Sequence, residues 1–471
     1  MDIIILHRNL RLEDNSALFH GSVNQNYRVI YVYDKHYWSS DGRSPRQFSF
    51  LMDCMKEVQS GLRSLNSYVE VFEGSYSELS TYIERNYPQS KIHYNHSTDT
   101  SYYRNQISKF KNTFKGSSKL HIYEDFGIQI DQFNRDKWSF DWNRQMRKCR
   151  YDQPKPNLSS KPTDLMNFDD FLDLSKSIIQ KGFQKGGTKE ANALLNSFFE
   201  SRSEGYSKKM SSPHDAEESC SRLSPHIAFG SISIREIYQR LEANYPQSHF
   251  KRDLYSFRKR LYWHCHFVQK LHTEPELEFQ SMHRMCDDLR TEHDDEMIEK
   301  WITGKTGFPF LDACMKFLQT YGWINFRMRA MIMSFASYNM WQPWQKTSPL
   351  LAKFFTDYEP GIHISQVQMQ SGVTGINLPR IYSVSKQSMD QDPNADWIKS
   401  LIPELCDFDS ESIHTAQLGE SYLPQIVNLK DSAKYARDRI WSIRKSKAFK
   451  NEAKLVYLRH GSRRKRNFKT N

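Results

Sequence analysis

The sequence predicts a fold of the class α/β plus all-α, with an N-terminal doubly wound parallel sheet and a C-terminal helical domain. Three observations predict it. The chain has 471 residues, more than one hydrophobic core normally serves, so two domains are expected. Short β-branched runs alternate with helix-like stretches in the first 130 residues, whereas helical periodicity alone follows Lys189.

The strand-like runs define the first domain, residues 1–130. They are "IIIL" (3–6), "RVIYVYD" (28–34), "VEVFE" (69–73), "KIHYN" (91–95) and "KLHIYE" (119–124). Their alternation with helical stretches is typical of a parallel sheet covered by helices on both faces. No G-x-G-x-x-G follows the first run, so the ordinary dinucleotide-binding fingerprint is missing.

A polar connection, residues 131–188, separates this domain from the next. It contains "DQPKPNLSSKPTD" and "QKGFQKGGTK", which are rich in Pro, Gly and Lys. We take residues 189–471 as a helical domain that ends in a basic tail. Its clearest helical periods cover 191–200, 232–243, 254–271, 308–320 and 323–341.

Positive charge is concentrated at the C-terminus. The whole chain carries +11, and residues 441–471 hold eleven Lys and Arg against one acid, Glu452, a local charge of +10. Such a segment favours polyanions such as nucleic acid or an acidic membrane surface. A solvated tail with no specific partner is the alternative.

The cysteines and the N-terminus suggest where the protein works. Seven cysteines form no C-x-x-C pair and no metal-ligand spacing, which is typical of reduced thiols in a cytoplasmic protein without a metal site. The apolar run at the N-terminus is too short for a membrane span and is interpreted as a buried strand. We expect a monomer that does not contact membranes.

The Gly-Lys-Thr at 304–306 resembles the end of a phosphate-binding loop. Such a loop needs another Gly five positions before Gly304, where the chain has Glu299, and no strand precedes it. The segment is better interpreted as a turn before a helix that begins at Pro309. The turn would orient the next helix, 323–341, with Arg327 and Arg329 pointing to different sides.

Four blocks, in order, resemble the photolyase/cryptochrome flavoproteins, and specifically a divergent bacterial DNA photolyase. They are "HRNLRLEDNSAL" (7–18), "SRLSPHIAFGSISIRE" (221–236), the segment 301–329 and "DPNADWIKSLIPEL" (392–405). The resemblance implies a helical FAD-binding domain, and it allows a second, antenna chromophore of the folate, deazaflavin or lumazine type in the α/β domain. In a bacterium the protein would be associated with the nucleoid.

The resemblance also implies a set of FAD contacts. Tyr206 and Cys220-Ser221-Arg222-Leu223-Ser224 match a tyrosine and a T-S-R-L-S stretch that hold the FAD phosphates, with Cys220 in place of the usual Thr. Arg329 and Asp357 match a pair beside the flavin ring, Glu359 matches an acid near its polar edge, and His363 falls opposite its reactive nitrogen. The remaining cofactor contacts implied on the 254–267 helix are Phe257, Arg260 and His264.

The DNA lesion contacts implied by the resemblance are Trp263, Phe326, Arg327 and Met369. Trp263 matches a tryptophan that stacks on the lesion, and Met369 replaces a second tryptophan of the lesion pocket. Arg260 stands where repair enzymes usually carry a glutamate that hydrogen-bonds the dimer. The six-four enzymes need a His pair where this chain has Phe326 and Ala330, which disfavours that chemistry, and four clustered cysteines for an iron–sulfur centre are missing.

The flavin of most relatives is reduced through three tryptophans, and this chain departs from that pattern. Trp344 matches the middle one, Val367 stands at the flavin-proximal position, and no tryptophan matches the distal one. Candidates for a rerouted path are Trp341, Trp301, Tyr338 and Tyr358, which could equally be core aromatics.

The function implied is light-driven repair of ultraviolet pyrimidine dimers in DNA by electron transfer from reduced FAD. We expect Arg260, Trp263, His363, Trp344 and Trp341 to serve that reaction. A blue-light photoreceptor that uses flavin photoreduction is the alternative, and a DNA-binding protein without photochemistry is a third.

Overall fold

The computed structural model describes residues 1–125, 127–131, 133–159, 164–180, 182 and 184–463. Residues 464–471 of the predicted basic tail lie outside the described residues. So do residues 132, 160–163, 181 and 183 of the predicted connection.

A six-stranded sheet forms the centre of the N-terminal part, in the order β5-β4-β1-β2-β3-β6. The strands are β1 (Asp2–Leu6), β2 (Tyr27–Tyr33), β3 (Val69–Glu73), β4 (Lys91–Asn95), β5 (Leu120–Tyr123) and β6 (Met166–Asn167). The first five pair in parallel, and β6 runs antiparallel to β3 at the edge. The five predicted strands and the doubly wound arrangement are therefore confirmed.

Side chains of β1 alternate between two hydrophobic cores, as the two-residue period of a strand requires. Ile4 and Leu6 pack into one core, and Ile3 and Ile5 into the other. The helices that cover the two faces are α1 (Ser16–Gly21), α2 (Lys35–Ser39), α3 (Pro45–Ser64), α4 (Tyr76–Asn86) and α5 (Ser101–Thr113).

The segment predicted as a connection also contains regular structure. It holds α6 (Trp138–Met146), the edge strand β6 and α7 (Phe168–Leu174). Trp138 and Trp142 of α6 pack in a core with residues of the helical part. Part of this segment thus completes the sheet and part of it completes the helical core, and the domain boundaries stay a prediction.

The remainder of the described chain is helical. Its α-helices are α8 (Thr188–Ser197), α9 (Tyr206–Lys209), α10 (Pro213–Ser219), α11 (Ser224–Phe229), α12 (Ile234–Asn244), α13 (Lys251–Thr273), α14 (Asp295–Ile302), α15 (Pro309–Tyr321), α16 (Phe326–Ser334), α17 (Trp344–Ala352), α18 (Pro360–Gln370), α19 (Val384–Gln391), α20 (Asp396–Leu401), α21 (Ser410–Thr415), α22 (Leu429–Arg444) and α23 (Lys447–His460). No helix in the described ranges is both long enough and apolar enough to cross a membrane.

The helix predicted over 323–341 is shorter than expected. It begins only at Phe326, because Asn325 has extended backbone and its side-chain amide donates to the carbonyls of Met210 and Ser211. After Ser334 the helix widens into one π-helical turn over Phe335–Asn339. Wide turns of this kind often occur near functional sites.

Polar contacts fix the α/β part against the helical part. The Arg46 guanidinium donates to the carbonyls of Leu318 and Phe354 at 3.0 Å each, and the Gln47 amide donates to the carbonyl of Phe355 at 3.1 Å. The amino-terminal turn of α3 is thereby held against the loop that leads into α18. This loop carries several of the predicted site residues.

Candidate functional site

A cavity of about 730 Å³ opens between α13, α16 and α18 and the segment 206–224. The close crossing of α13 and α18 forms its back wall, where a side chain on Gly361 would collide with the backbone of Val268, 2.6 Å from the added carbon. Glycine at this position lets the two helices approach each other closely.

The structure brings the predicted phosphate-binding stretch to one end of the cavity. Tyr206 and all five residues from Cys220 to Ser224 line it. Arg222 adopts the left-handed backbone conformation (φ 60°), and its guanidinium stacks on the Trp323 ring at 3.9 Å. Arg202, which the sequence interpretation missed, donates to the Cys220 carbonyl and holds the stretch in place. This end therefore offers hydroxyls, backbone amides and a guanidinium.

The predicted pair Arg329 and Asp357 is present at the middle of the cavity. Two parallel hydrogen bonds of 3.0 and 2.9 Å join the guanidinium to the carboxylate, and Nε donates to the Ile324 carbonyl at 2.7 Å. The guanidinium also lies 4.3 Å from the Phe355 ring centre. A bidentate pair of this kind fixes the orientation of a charge more strictly than a lysine could.

Glu359 also lines the cavity, but its carboxylate is held from the α/β part. Arg8, just after β1, donates to it at 2.8 Å, and both side chains are buried. Burial raises the pKa of Glu359, whereas the Arg8 charge lowers it. Nothing in the sequence linked Arg8 to this site, because the two residues are 351 positions apart.

His363 is a neutral ring at ordinary pH. Burial lowers its pKa to about 4, so Nε2 carries the proton and donates to the Ser348 carbonyl at 3.0 Å. His264, on the facing helix, has a pKa lowered to about 3 by burial and by the Arg8 charge. Its buried Nδ1 has no hydrogen-bond partner in the described part of the chain. Phe257 packs below it in the core of this region.

The residues predicted to contact a lesion form the rim of the cavity. Trp263, Phe326, Arg327 and Met369 all line it, as does Arg260. The Trp263 ring stacks on Phe267 with ring centres 5.6 Å apart, which leaves its other face available. Phe326 has 48% of its surface exposed, high for an aromatic residue outside an interface.

Two predicted residues do not reach the cavity wall. Trp344 is buried in the largest core and donates to the Ser281 hydroxyl at 3.2 Å. Trp341 lies between the Arg290 guanidinium, at 4.3 Å, and the Tyr435 ring, at 5.2 Å. Any part that they play is therefore at a distance from the cavity, as a relay would be.

Lys270 and Arg380 line the cavity although no sequence motif selected them. Burial and the Arg135 charge lower the pKa of Lys270 to about 7, so it is only partly charged at neutral pH. Arg380 and three further lining arginines, Arg222, Arg260 and Arg327, form no ion pair with a carboxylate within the described ranges. Lys270 could have been found by its place on α13, about two helical turns after Trp263.

The donor set fits a large ligand that has both a flat apolar part and an anionic part. The two carboxylates of the described lining, Asp357 and Glu359, are both neutralised by arginines. Further buried polar atoms without a partner among the described residues are Arg327 Nε and Gln366 Oε1. Unsatisfied buried donors and acceptors of this kind are costly unless a ligand or water pairs with them.

Comparison with known proteins identifies two matching family models. Residues 3–118 match the model described as DNA photolyase, and residues 257–442 match the FAD binding domain of DNA photolyase. The second match contains most of α13 and all of α16 and α18, and thus most of the cavity, but not the segment 206–224. The helical part is therefore an FAD-binding domain, as the sequence predicted.

The similar proteins include both cryptochromes and photolyases. The chain is 23% identical to Cryptochrome-2 of Gallus gallus over 440 residues (86% of this chain and 75% of that protein). It is 30% identical to a deoxyribodipyrimidine photo-lyase of Alkalihalophilus pseudofirmus over 233 residues, which is 48% of this chain and 47% of that enzyme. The structure of an archaeal photolyase from Sulfolobus tokodaii with two FAD molecules superposes with a TM-score of 0.79 at 26% identity, covering 94% of this chain and 100% of that one.

Proposed function

Because the chain belongs to the photolyase/cryptochrome family of flavoproteins, we propose that it is a deoxyribodipyrimidine photolyase. Its substrate would be DNA that carries cyclobutane pyrimidine dimers. The observation that carries the proposal is the open, aromatic cavity with four arginines, Arg222, Arg260, Arg327 and Arg380, that form no ion pair with a described carboxylate. Unpaired cations around stacking surfaces are typical of nucleic-acid sites, where phosphates supply the missing charge.

The residues of the cavity divide into two functions under this proposal. Cys220–Ser224 and Arg222 would hold the FAD phosphates, and the fixed Arg329–Asp357 pair would orient the ring system. When bound, reduced FAD would donate an electron to the dimer in light and receive it back after the two carbon–carbon bonds of the dimer have broken. The protein needs no general acid or base for this reaction. Its task is to hold both groups close together and to exclude water.

The rim residues would hold the extruded dimer. Trp263 presents one free face, because Phe267 covers the other, and stacking contributes about 1–3 kcal/mol per base. Arg260 stands in place of an acid, yet its guanidinium has five N–H donors and can donate to the carbonyl oxygens of a pyrimidine. The changed residue therefore alters how a dimer is bound and does not exclude it.

One experiment tests both the photolyase proposal and the photoreceptor alternative. Purified, reduced protein is illuminated with blue or near-ultraviolet light in the presence of dimer-containing oligonucleotides, single-stranded and double-stranded, and restored thymines are counted. Light-dependent restoration in either strand form is expected, with none in the dark. Flavin photoreduction without restored thymines would favour the photoreceptor, and an absorbance spectrum without flavin bands would favour a DNA-binding protein without photochemistry.

A variant control separates binding from chemistry. Trp263→Ala removes the stacking face and should weaken binding of the dimer about tenfold or more. Phe140→Ala removes an exposed aromatic ring on α6 that does not line the cavity, and it should leave both binding and repair unchanged.

A further inference from the structure

A second groove lies beside the cavity, between the hairpin of α22 and α23 and the loop at residues 375–376. Its volume is about 590 Å³. The lining consists of apolar and basic residues without an acid: Gly375, Ile376, Trp441, Arg444, Phe449, Lys450, Ala453, Lys454, Tyr457 and Leu458. Eight of the ten belong to residues 441–471, the basic segment for which the sequence predicted a polyanion, but no individual residue of the groove was selected there.

Two aromatic rings in the groove are exposed and held in position. Trp441 is 43% exposed and Tyr457 is 47% exposed. The Arg444 guanidinium lies 5.8 Å from the Trp441 ring and 5.1 Å from the buried Phe449 ring, so it supports one side of the groove. The Tyr457 hydroxyl donates to the Ser462 carbonyl at 3.0 Å, and Arg463 lies 5.5 Å from its ring.

The cations of the groove have no acidic partner in the described part of the chain. Lys450, Lys454 and Arg444 form no ion pair there, and the buried Nη1 of Arg444 lacks any hydrogen-bond partner among those residues. Two neighbouring arginines differ, since Arg459 pairs with a carboxylate of Glu274 and Arg463 with one of Asp136. The groove lining therefore carries three positive charges that no described acid offsets.

The spacing on α23 places the charges and a ring along one line. Lys450, Lys454 and Tyr457 follow each other at intervals of four and three residues, so they share one face of the helix. Trp441 faces them from α22. Rings and cations side by side suit a single strand, in which each base offers a flat face and each phosphate a negative charge.

The groove also adjoins the cavity. Ile376 lines both of them, and His460 and Ser462, at the end of α23, line the cavity. A strand that leaves the cavity rim at this side would enter the groove directly.

We propose that this groove binds a single-stranded stretch of DNA, with bases on Trp441 and Tyr457 and phosphates on Lys450 and Lys454. The identification of the polymer as DNA rests on the proposed function, whereas the recognition does not require a lesion. The groove would hold the strand that flanks the lesion or the strand separated from it.

The test measures binding in the dark, without damage and without repair. A fluorescein-labelled, undamaged oligothymidine is titrated with FAD-loaded protein, and anisotropy is followed at several salt concentrations. Trp441→Ala and Tyr457→Ala should each weaken binding about tenfold. Lys450→Glu with Lys454→Glu should weaken it further and reduce the slope of log affinity against log salt by roughly 1.4.

Matched variants show whether the effect belongs to the groove. Trp441→Phe keeps a stacking face and should retain most of the affinity. Phe140→Ala removes an exposed ring next to Arg144, which is paired with Asp141 at 2.9 Å, and Lys56→Glu reverses an exposed charge on α3; neither should change binding. Flavin absorbance and circular dichroism confirm that each variant is folded.

Unchanged affinity in the aromatic and lysine variants would overturn the proposal, as would equal losses in the two control variants. If the groove variants lose affinity for oligothymidine but the unmodified protein restores no thymines in light, the groove proposal stands and only the repair function is rejected. If the groove binds another protein or residues 464–471 instead, removing its rings would leave oligothymidine binding unchanged or make it tighter. That result would also contradict the proposal.

Discussion

Two crevices of the described chain, one at the sheet and one in the helical domain, differ sharply. One lies at the carboxyl ends of β1 and β2, the usual ligand position in a doubly wound sheet, yet only about 10 Å³ of it is free. Beside it the buried Asp99 carboxylate accepts from Arg43 and from two lining residues, the His7 ring and the Tyr37 hydroxyl. The other is the cavity of about 730 Å³ in the helical domain, where cations and polar atoms are left unpaired.

The comparison teaches that internal pairing of polar and charged groups distinguishes a closed crevice from a binding site in this protein. In the sheet crevice Arg8 pairs with Asp99 and Glu359, and the Asp34 carboxylate accepts from the Tyr102 hydroxyl and from two backbone amides. The crevice therefore has no need of a ligand. An antenna chromophore at that position would have to displace Tyr37 or Tyr103, both of which are buried there. In the cavity the neutralising groups must come from outside the chain.

The largest expected effect is on stability, in the closed crevice. Arg43→Met leaves the buried Asp99 carboxylate without one of its cations, and removing one partner of a buried pair costs about 3–5 kcal/mol. Urea unfolding should show this loss, with the FAD content of the folded protein unchanged. Arg63→Met breaks an exposed pair with Asp169 and should cost about 1 kcal/mol or less. Equal costs for the two variants would contradict the distinction between the crevices.

Acid should lower the free energy of unfolding, because His363 in the cavity is buried as a neutral ring. Its pKa in the folded protein is about 4, below that of an unfolded histidine, so the unfolded chain binds more protons between these values. Stability is therefore complete above about pH 6.5 and falls as the pH drops toward 4, by at most about 3 kcal/mol from this group. His363→Asn should flatten that part of the curve of unfolding free energy against pH. An unchanged slope in the variant would show that His363 is protonated in the folded protein as readily as in the unfolded chain.

A smaller effect is expected on FAD affinity, in the open cavity. Arg329→Met removes the bidentate partner of Asp357 and leaves an unpaired carboxylate in the middle of the cavity, where we propose that the ring system of FAD binds. Charge-assisted hydrogen bonds contribute about 1.5–3 kcal/mol, so the dissociation constant of FAD should rise roughly tenfold to a hundredfold. Titration of the apoprotein with FAD, followed by flavin fluorescence, measures it. Arg329→Lys keeps the charge but not the planar guanidinium that makes two parallel hydrogen bonds, and it should bind FAD with intermediate affinity.

The sequence predicted the strands, the helical second part and seventeen of the residues that line the cavity, because these depend on local pattern and on contiguous motifs. Cys220–Ser224, Trp263 and Arg329 belong to such motifs. Arg8 and Arg202 could not be predicted in the same way, since each acts on a residue that only folding brings near. The start of α16 was misplaced for a related reason: the Asn325 side chain is held by carbonyls more than a hundred residues earlier.

The smallest effect is expected at the Gly-Lys-Thr turn. Here, as at the closed crevice, a buried carboxylate is paired within the chain, but its partners are uncharged. The buried Asp312 carboxylate accepts from the Thr306 hydroxyl at 2.7 Å, from the Thr306 and Gly307 amides, and from the Tyr422 hydroxyl. The backbone amides of residues 304–308 are thus all paired within the chain, and none is left to form a phosphate-binding nest. Thr306→Val removes one donor of four and should cost about 1–2 kcal/mol in urea unfolding. Thr306→Ser keeps the hydroxyl and should cost less, and neither variant should change FAD affinity; a loss of FAD binding in Thr306→Val alone would mean that the turn takes part in the site after all.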